Sequence, residues 1–164
     1  MATAEKNLSD YDQAALPKAE DFRFGLVVSE WNDDITDNLA KGALEVLTDN
    51  GVPESHISKV HVPGSFELVY GSKKLQNSQK RFDAVIAIGC IIQGETKHFD
   101  YVCQGVTQGI QDLNVQSDVP VIFCVLTDNN KQQSIERSGG KHGNKGAEAA
   151  VAAIKMADLR RKIK

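Results

Sequence analysis

Short apolar runs alternate with segments of helical spacing along most of the chain. The first apolar run is "FRFGLVVS" (residues 22–29), and the apolar side chains that follow recur at the spacing of an amphipathic helix. Asn50-Gly51 is a typical helix end, and Pro53 opposes a restart. In "ISKVHV" (57–62) apolar and polar residues nearly alternate, which predicts a second strand.

The same alternation continues to the end of the chain. A Pro-Gly break opens a second helix in "PGSFELVYGSKKL", and "FDAVIAIGCII" (82–92) is apolar enough for a central strand. The next helix has a predicted buried stripe, formed by Phe99, Val102, Val106, Ile110 and Leu113. The fourth strand is "VPVIFCVLT" (119–127). A polar segment (128–137) and a glycine-rich kink (138–146) then lead into the last helix, "AEAAVAAIKMADL".

Four strands that are each followed by a helix predict an α/β fold of three layers. Right-handed crossovers would build a four-stranded parallel sheet with helices on both faces. We expect a single domain over residues 21–164. Before it lies a polar N-terminal arm (residues 1–20), which is flexible or docks on a partner by adding to a neighbouring subunit. Ligands of such sheets bind beyond the carboxyl ends of the strands, so the strand-to-helix loops are the candidate site.

Composition and charge restrict the class of partner. The net charge is -3 and the pI about 5.8, which favours neither nucleic acid nor an anionic membrane surface. The basic segment 160–164 is interpreted as a solvated helix end. The first residues lack the pattern of a secretory signal, and no apolar stretch is long enough to span a bilayer. We therefore expect a cytoplasmic protein with no membrane partner.

The sequence offers no metal site and no nucleotide motif. The three cysteines, Cys90, Cys103 and Cys124, have neither metal-ligand nor disulfide spacing, and the four histidines form no metal-like pairs. Neither GxxxxGK[ST] nor GxGxxG is found, and no GxSxG elbow supports a serine nucleophile. The expected chemistry is therefore free of metals and cofactors.

The first two strand-to-helix loops hold candidate binding residues with two interpretations each. In "SEWNDDIT" the only tryptophan, Trp31, is either a stacking surface for a flat heterocycle or a staple on the next helix. In "VPGSFEL", Ser65 is a candidate helix N-cap, Phe66 a core residue and Glu67 a solvated acid of the first helical turn. The same three residues could instead line a ligand cleft.

The third loop, "QGETKH", predicts an anion site. Gly94 allows a ligand to approach the backbone closely, and Thr96 is a candidate helix N-cap. The amides of Gly94, Glu95 and Thr96 would face outward at a helix N-terminus. The Glu95 carboxylate opposes anion binding unless it turns away. His98, beside these amides, is either a structural residue or a proton carrier.

The fourth loop is long and polar. Arg137 and Lys145 are candidates for phosphate or hydroxyl recognition, although either could be a surface charge. Phe123 lies inside the fourth strand, so the core is its expected place. Together the four loops indicate a reaction on a phosphorylated small molecule, without naming that reaction.

Several motifs taken in order resemble the lumazine synthase family over residues 22–159. They are "WN", "VPGSFEL", "GCIIQGETKHFDYV", "PVIFCVLT" and "ERSGGKHGNKGAEAA". The resemblance implies a flavodoxin-like fold and a transferase of riboflavin biosynthesis that needs no cofactor. Its substrates would be 5-amino-6-(ribitylamino)uracil and 3,4-dihydroxy-2-butanone 4-phosphate. The products would be 6,7-dimethyl-8-ribityllumazine, phosphate and water.

The resemblance also implies roles for individual positions. The positions that match contacts to the heterocycle and the ribityl chain are Trp31, Ser65, Phe66, Glu67, Ile91 and Ile92. The positions that match the phosphate loop are Gly94, Glu95 and Thr96, and His98 matches the general acid–base. Arg137 matches a phosphate-binding arginine that the family supplies from a neighbouring subunit together with the counterpart of Phe123. Lys145 matches a motif lysine near the same site.

The resemblance further implies an oligomer, because one chain would not complete the site. Family members form pentamers, and some assemble twelve of these into a 60-subunit shell. The short kink favours the shell, whereas Pro17 in the arm opposes strand addition; on balance we expect the shell. Riboflavin synthase is a further candidate partner.

Two positions depart from the usual family pattern and leave a second function possible for the chain. Gln93 stands where many relatives carry a cation, and Trp31 stands where phenylalanine is commoner. A larger aromatic surface could hold a flavin. The rival is therefore a non-catalytic protein that binds riboflavin or flavin mononucleotide on the same scaffold. A flavodoxin-type electron carrier fits the fold class, but the serine- and threonine-rich phosphate loop expected after its first strand is missing.

Overall fold

The computed structural model describes residues 7–163. It contains the four predicted strands, β1 (Phe24–Ser29), β2 (Ile57–Val62), β3 (Ala84–Ile92) and β4 (Val121–Asp128). All neighbours pair in parallel, in the order β2-β1-β3-β4. The sheet is therefore the one that the alternating pattern predicts, with the most apolar strand, β3, next to β1 at its centre.

Helices cover both faces of this sheet. The helices are α1 (Asp33–Asp49), α2 (Leu68–Gln76), α3 (His98–Gln116), α4 (Lys131–Arg137) and α5 (Lys145–Lys162). One cluster of buried apolar side chains joins α1 and α5 to one face, and a second joins α2 and α3 to the other. The three-layer α/β/α architecture is confirmed.

The region after β4 differs from the sequence expectation. The polar segment 128–137 contains the helix α4, whose N-terminus is capped by the Asn130 side chain accepting a hydrogen bond from the Gln133 amide. The glycine-rich kink contains two short antiparallel strands, β5 (Ser138–Gly140) and β6 (Gly143–Asn144). The last helix begins at Lys145, two residues before the predicted start. Short elements of this kind carry too few apolar residues for periodicity to detect.

The described part of the arm, residues 7–20, contacts the chain's own domain. The Leu8 amide donates to the His142 carbonyl at 2.8 Å, and the Asn144 amide donates to Ser9 Oγ at 2.9 Å. Gln13 Nε2 donates to the Asp49 carbonyl at 2.6 Å. Residues 1–6, which belong to the same predicted arm, lie outside the described residues. Addition of the arm to a neighbouring subunit stays a prediction.

The basic C-terminal segment is anchored rather than simply solvated. Arg161 donates from Nε and Nη2 to the two carboxylate oxygens of buried Asp83, both at 2.8 Å. Its guanidinium also lies 4.4 Å from the centre of the Phe22 ring. A bidentate pair of this kind has a fixed geometry, so the end of α5 is tied to the amino end of β3.

Candidate active site

A cavity of about 660 Å³ opens at the carboxyl ends of β1 and β3. The first three strand-to-helix loops and the start of α3 form its wall. The predicted site residues that line it are Trp31, Ser65, Phe66, Glu67, Ile91, Ile92, Gly94, Thr96 and His98. The expectation that these loops converge on one place is therefore correct for the first three loops.

Trp31 stands on the rim of the cavity and is 73% exposed. The staple interpretation is wrong, because the indole is not buried against α1. The backbone beneath it is fixed: the Trp31 amide donates to the Pro63 carbonyl at 3.1 Å, and Ser29 Oγ donates to the Trp31 carbonyl at 3.2 Å. A rigid base under an exposed ring is suited to stacking on a flat ligand.

Asn32 is a cavity residue to which the sequence analysis assigned no role. It adopts a left-handed backbone conformation, with φ 62°, and its Nδ2 donates to the Cys90 carbonyl at 3.0 Å. Asparagine tolerates this conformation better than most residues. An asparagine directly after a polar-loop aromatic was the one local signal that could have indicated it. Asn32 ties the first loop to the end of β3.

The second loop is a single 3₁₀ turn, Ser65–Glu67, in front of α2. Ser65 is buried and makes no helix-capping hydrogen bond, so the cap prediction is wrong; its Oγ lies 3.5 Å from the Cys90 carbonyl oxygen instead. Phe66 is 59% exposed, which corrects its assignment to the core. A Cβ atom at Gly105 would lie 2.9 Å from the Phe66 ring, so that glycine makes room for the ring beside α3. Glu67 is exposed as expected.

The third loop presents free backbone donors. The Gln93 amide donates to the Asp128 carbonyl at 2.9 Å, which joins the loop to β4. Among residues 7–163, the amides of Gly94, Glu95 and Thr96 have no protein acceptor. A Cβ atom at Gly94 would meet nothing within 4 Å, so the loop is open on that side. Glu95 is exposed and does not line the cavity.

His98 is the first residue of α3 and is exposed at the cavity wall. The cap position belongs to Lys97, one residue after the predicted cap, and Thr96 Oγ1 accepts a 3.4 Å hydrogen bond from the His98 amide. Within the described chain the imidazole makes no hydrogen bond or ion pair. The ring is therefore available to a ligand in the cavity.

The remaining three predicted residues do not line this cavity. Phe123 is 36% exposed on the side of β4 that faces α3, where it lines a separate groove with Tyr101 and Thr127, and its assignment to the core is wrong. Arg137 ends α4, and Lys145 begins α5, where its Nζ lies 2.9 Å from Glu148 Oε2. The described chain alone does not bring these three side chains to the cavity.

A family model described as 6,7-dimethyl-8-ribityllumazine synthase matches residues 21–161. The chain belongs to this family. A protein of that name from Flavobacterium johnsoniae is 69% identical over 98% of this chain and 84% of its own length. One from Christiangramia forsetii is 64% identical over 100% of this chain and 98% of its own, and one from Porphyromonas gingivalis is 58% identical over 98% and 99%.

Membership in the lumazine synthase family confirms the resemblance seen in the sequence. The chain is an enzyme of riboflavin biosynthesis, a transferase with the flavodoxin-like α/β fold of the family. A purely non-catalytic flavin binder and an electron carrier are therefore not supported as the chain's main role.

Cys90, which lines the cavity, and Cys124, which is buried in the core, are both poor nucleophiles. Burial raises the pKa of the Cys90 thiol to about 11 and that of Cys124 to about 12. Both stay protonated at neutral pH, so each behaves as a small apolar side chain. Over residues 7–163, no group of three or more metal-binding side chains is found. In the same range, no helix is long and apolar enough to cross a bilayer.

Proposed function

We propose that the cavity binds 5-amino-6-(ribitylamino)uracil and condenses it with 3,4-dihydroxy-2-butanone 4-phosphate to give 6,7-dimethyl-8-ribityllumazine, phosphate and water. One observation carries this assignment. An exposed indole (Trp31), an unpartnered imidazole (His98) and three free amides (Gly94, Glu95 and Thr96) surround a single cavity or its rim. Stacking, proton transfer and anion binding are the three tasks that this condensation sets.

Each task follows from the chemistry of the groups present. The amine of the uracil attacks the ketone, an imine forms with loss of one water, and phosphate is eliminated. The second nitrogen then attacks the remaining carbonyl carbon, and loss of a second water closes the ring. The amides of the third loop and the N-terminus of α3 favour a phosphate that must be held and then released. Trp31 stacks on the pyrimidine, while the backbone and side chains of Ser65, Phe66 and Glu67 hold the ribityl chain. Ile91 and Ile92 lie beside the heterocycle.

His98 carries the protons in this proposal. Imine formation and phosphate elimination both require a group that gives and takes protons near neutral pH, and imidazole is the side chain best matched to that range. The exposed ring at the cavity wall has no competing protein partner within residues 7–163. Much of the remaining rate enhancement would come from holding the two substrates together.

The test replaces His98 and follows turnover with both substrates. We expect His98→Ala and His98→Gln to lower kcat by roughly 10²–10⁴-fold, because neither side chain can exchange a proton at neutral pH. Both Michaelis constants should change little, since the stacking surface and the amides remain. The thermal unfolding midpoint serves as the folding control. Unchanged turnover in both variants would rule out the acid–base role.

We further infer that the active unit is an oligomer in which Phe123, Arg137 and Lys145 act in a neighbouring subunit's cavity. Their positions away from the chain's own cavity support this, as do the exposed aromatic rings of Trp31, Phe66 and Tyr101. The proposed assembly is a pentamer that builds a 60-subunit shell, with residues 21–164 as the catalytic domain and 1–20 as an arm.

Riboflavin synthase is the proposed protein partner. Three free thiols fit a cytoplasmic location.

A further inference from the structure

Asp128 lies where three parts of the fold meet. It is the last residue of β4, it pairs in register with Ile92 at the end of β3, and its side chain is only 10% exposed. A carboxylate so far from water must be held by specific partners, because burial of an unpaired charge is costly. Those partners show what the residue does.

The two carboxylate oxygens of Asp128 face two different residues of α4. Ser134, itself fully buried, donates from Oγ to Oδ2 at 2.8 Å. Arg137 Nε lies 4.0 Å from Oδ1, and the same guanidinium donates from Nη1 to the Gln133 carbonyl at 3.0 Å. Ser134 therefore restrains the carboxylate by a hydrogen bond, and the carboxylate restrains the guanidinium by charge attraction, because 4.0 Å is too long for a hydrogen bond.

The rest of the Arg137 guanidinium has no partner in the described chain. Of its five N–H donors, only one makes a hydrogen bond within residues 7–163, and the side chain is 36% exposed. The guanidinium therefore keeps donors that no acceptor in the described chain occupies. An arginine restrained in this way is prepared to bind an anion with little further loss of side-chain freedom.

Asp128 also connects Arg137 to the chain's own anion loop. Its carbonyl accepts the Gln93 amide hydrogen at 2.9 Å, one residue before Gly94. On the far side of Ser134, Cys90 Sγ lies 3.4 Å from Ser134 Oγ, and the Cys90 carbonyl accepts from Asn32 at the cavity. One buried residue thus sets the position of both phosphate-facing elements of this chain.

We propose that Asp128, held by Ser134, is a positioning residue for binding of the phosphorylated substrate by Arg137. It does not touch the substrate; it fixes the orientation of the guanidinium that does. This inference rests on the proposed role of Arg137 and goes beyond it, because it names the buried pair on which the arginine depends.

The competing explanation is that Asp128 only holds α4 on the sheet. The chain offers a matched control for that explanation, because α4 is also anchored at its other end. Lys131 Nζ lies 2.7 Å from Asp34 Oδ2 on α1, and this ion pair does not involve Arg137. Asp34→Asn removes this contact between α4 and α1 without altering the partners of the guanidinium.

The experiment compares Asp128→Asn, Ser134→Ala and Asp34→Asn in the full-length enzyme. In Asp128→Asn the amide oxygen still accepts from Ser134, so the shape remains and the charge is lost. We expect its Michaelis constant for the butanone phosphate to rise about tenfold, and that of Ser134→Ala about threefold, because the arginine is less well held. The Michaelis constant for the uracil substrate should stay within about twofold in both, and Asp34→Asn should leave both constants within about twofold.

Arg137→Ala separates failure of this inference from failure of the arginine's own role. If Arg137→Ala leaves the Michaelis constant for the butanone phosphate unchanged, the proposed role of Arg137 is wrong and the positioning role is wrong with it. If Arg137→Ala raises that constant but Asp128→Asn leaves it unchanged or lowers it, only the positioning role is overturned.

A double mutant distinguishes a positioning role of Asp128 from a role in general stability. Asp128→Asn should add nothing once Arg137 is alanine, because a positioning residue acts only through the residue it positions. An equal rise of both Michaelis constants in Asp128→Asn, with a lower unfolding midpoint, would assign Asp128 to general stability and overturn the inference. Circular dichroism of each variant shows whether the fold is retained.

Discussion

Trp31 combines a fixed backbone with a free side chain. The left-handed conformation of Asn32 turns the chain immediately after the tryptophan, and the Asn32 amide group ties that turn to the end of β3. Such an exposed indole gives up most of the burial energy that a core tryptophan would contribute. A ligand that covers the ring, as proposed for the pyrimidine, would recover that energy.

The stacking role predicts a graded response at residue 31. Trp31→Phe keeps an aromatic face, whereas Trp31→Ala removes it. We expect the dissociation constant of the lumazine product to rise about tenfold in Trp31→Ala and by less than about threefold in Trp31→Phe, from the typical contribution of an aromatic pair. Isothermal titration calorimetry measures both constants.

Riboflavin is the second ligand for this titration, because the same surface could hold a flavin. Quenching of the single tryptophan in the wild-type chain would report its binding directly. Equal product affinity in the wild type and Trp31→Ala would show that the indole does not stack on the ligand.

At the scale of secondary-structure elements, α1 and α5 approach each other closely. A Cβ atom at Gly146 would collide with the Leu39 carbonyl oxygen, and one at Gly42 would collide with the Asn144 side chain. Asn144 Nδ2 also donates to the Asn38 carbonyl at 2.8 Å across the same contact. The small residues at the start of α5 are therefore required by the close approach of two backbones.

This contact predicts whether replacing Gly146 by alanine raises or lowers the free energy of unfolding. Helix propensity alone would make Gly146→Ala stabilising by up to about 1 kcal/mol. We expect instead a loss of about 2 kcal/mol in the free energy of unfolding, because the methyl group has no space beside Leu39. Urea denaturation measures the change.

Gly94→Ala is the matched control for stability. Its Cβ would meet nothing within 4 Å, so its effect on the free energy of unfolding should stay within about 0.5 kcal/mol. A stabilised Gly146→Ala variant would contradict the close packing of α5 on α1.

Local pattern predicted the long elements and missed the short ones for a physical reason. The strands and long helices each bury a periodic set of apolar side chains, which a sequence displays directly. Helix α4 has a single large apolar residue, Ile135, and it is exposed; the helix is held by the Asn130 cap, the buried Ser134–Asp128 hydrogen bond and the Lys131–Asp34 ion pair. The last two are tertiary contacts, and no periodicity records them.

At the scale of the whole molecule, the predicted site residues fall into two groups. Nine of them line one cavity and Glu95 lies beside it in the third loop, whereas Phe123, Arg137 and Lys145 lie elsewhere in the described chain. If both groups serve one reaction, each chain contributes the first group to its own site and the second group to the site of a neighbouring chain. A ring of subunits in head-to-tail contact provides this arrangement.

A shared site predicts that two impaired variants restore each other's activity. We expect His98→Ala and Arg137→Ala chains, co-expressed with different tags and purified through both, to regain about a quarter of the wild-type activity. In a random ring of equal composition, about one site in four has an intact histidine and an intact neighbouring arginine. Activity is assayed at a butanone phosphate concentration below the Michaelis constant of the arginine variant.

The control repeats the procedure with each variant carrying both tags. Mixed rings no more active than these controls would place both residues of a site in one chain. Light scattering on the same preparations measures the mass and distinguishes a pentamer from a 60-subunit shell.

The sequence by itself determined the order of strands and helices, the fold class, the loops that form the cavity and the family. These features depend on local apolar spacing, glycine and proline positions, and short motifs, all of which are linear. Only the tertiary structure decided that Phe66 and Phe123 are exposed and that Ser65 faces the Cys90 carbonyl rather than a helix end. It also placed Asp128 against Ser134 and Arg137. The reason is that burial and polar pairing depend on which elements become neighbours, and sheet order and packing set this.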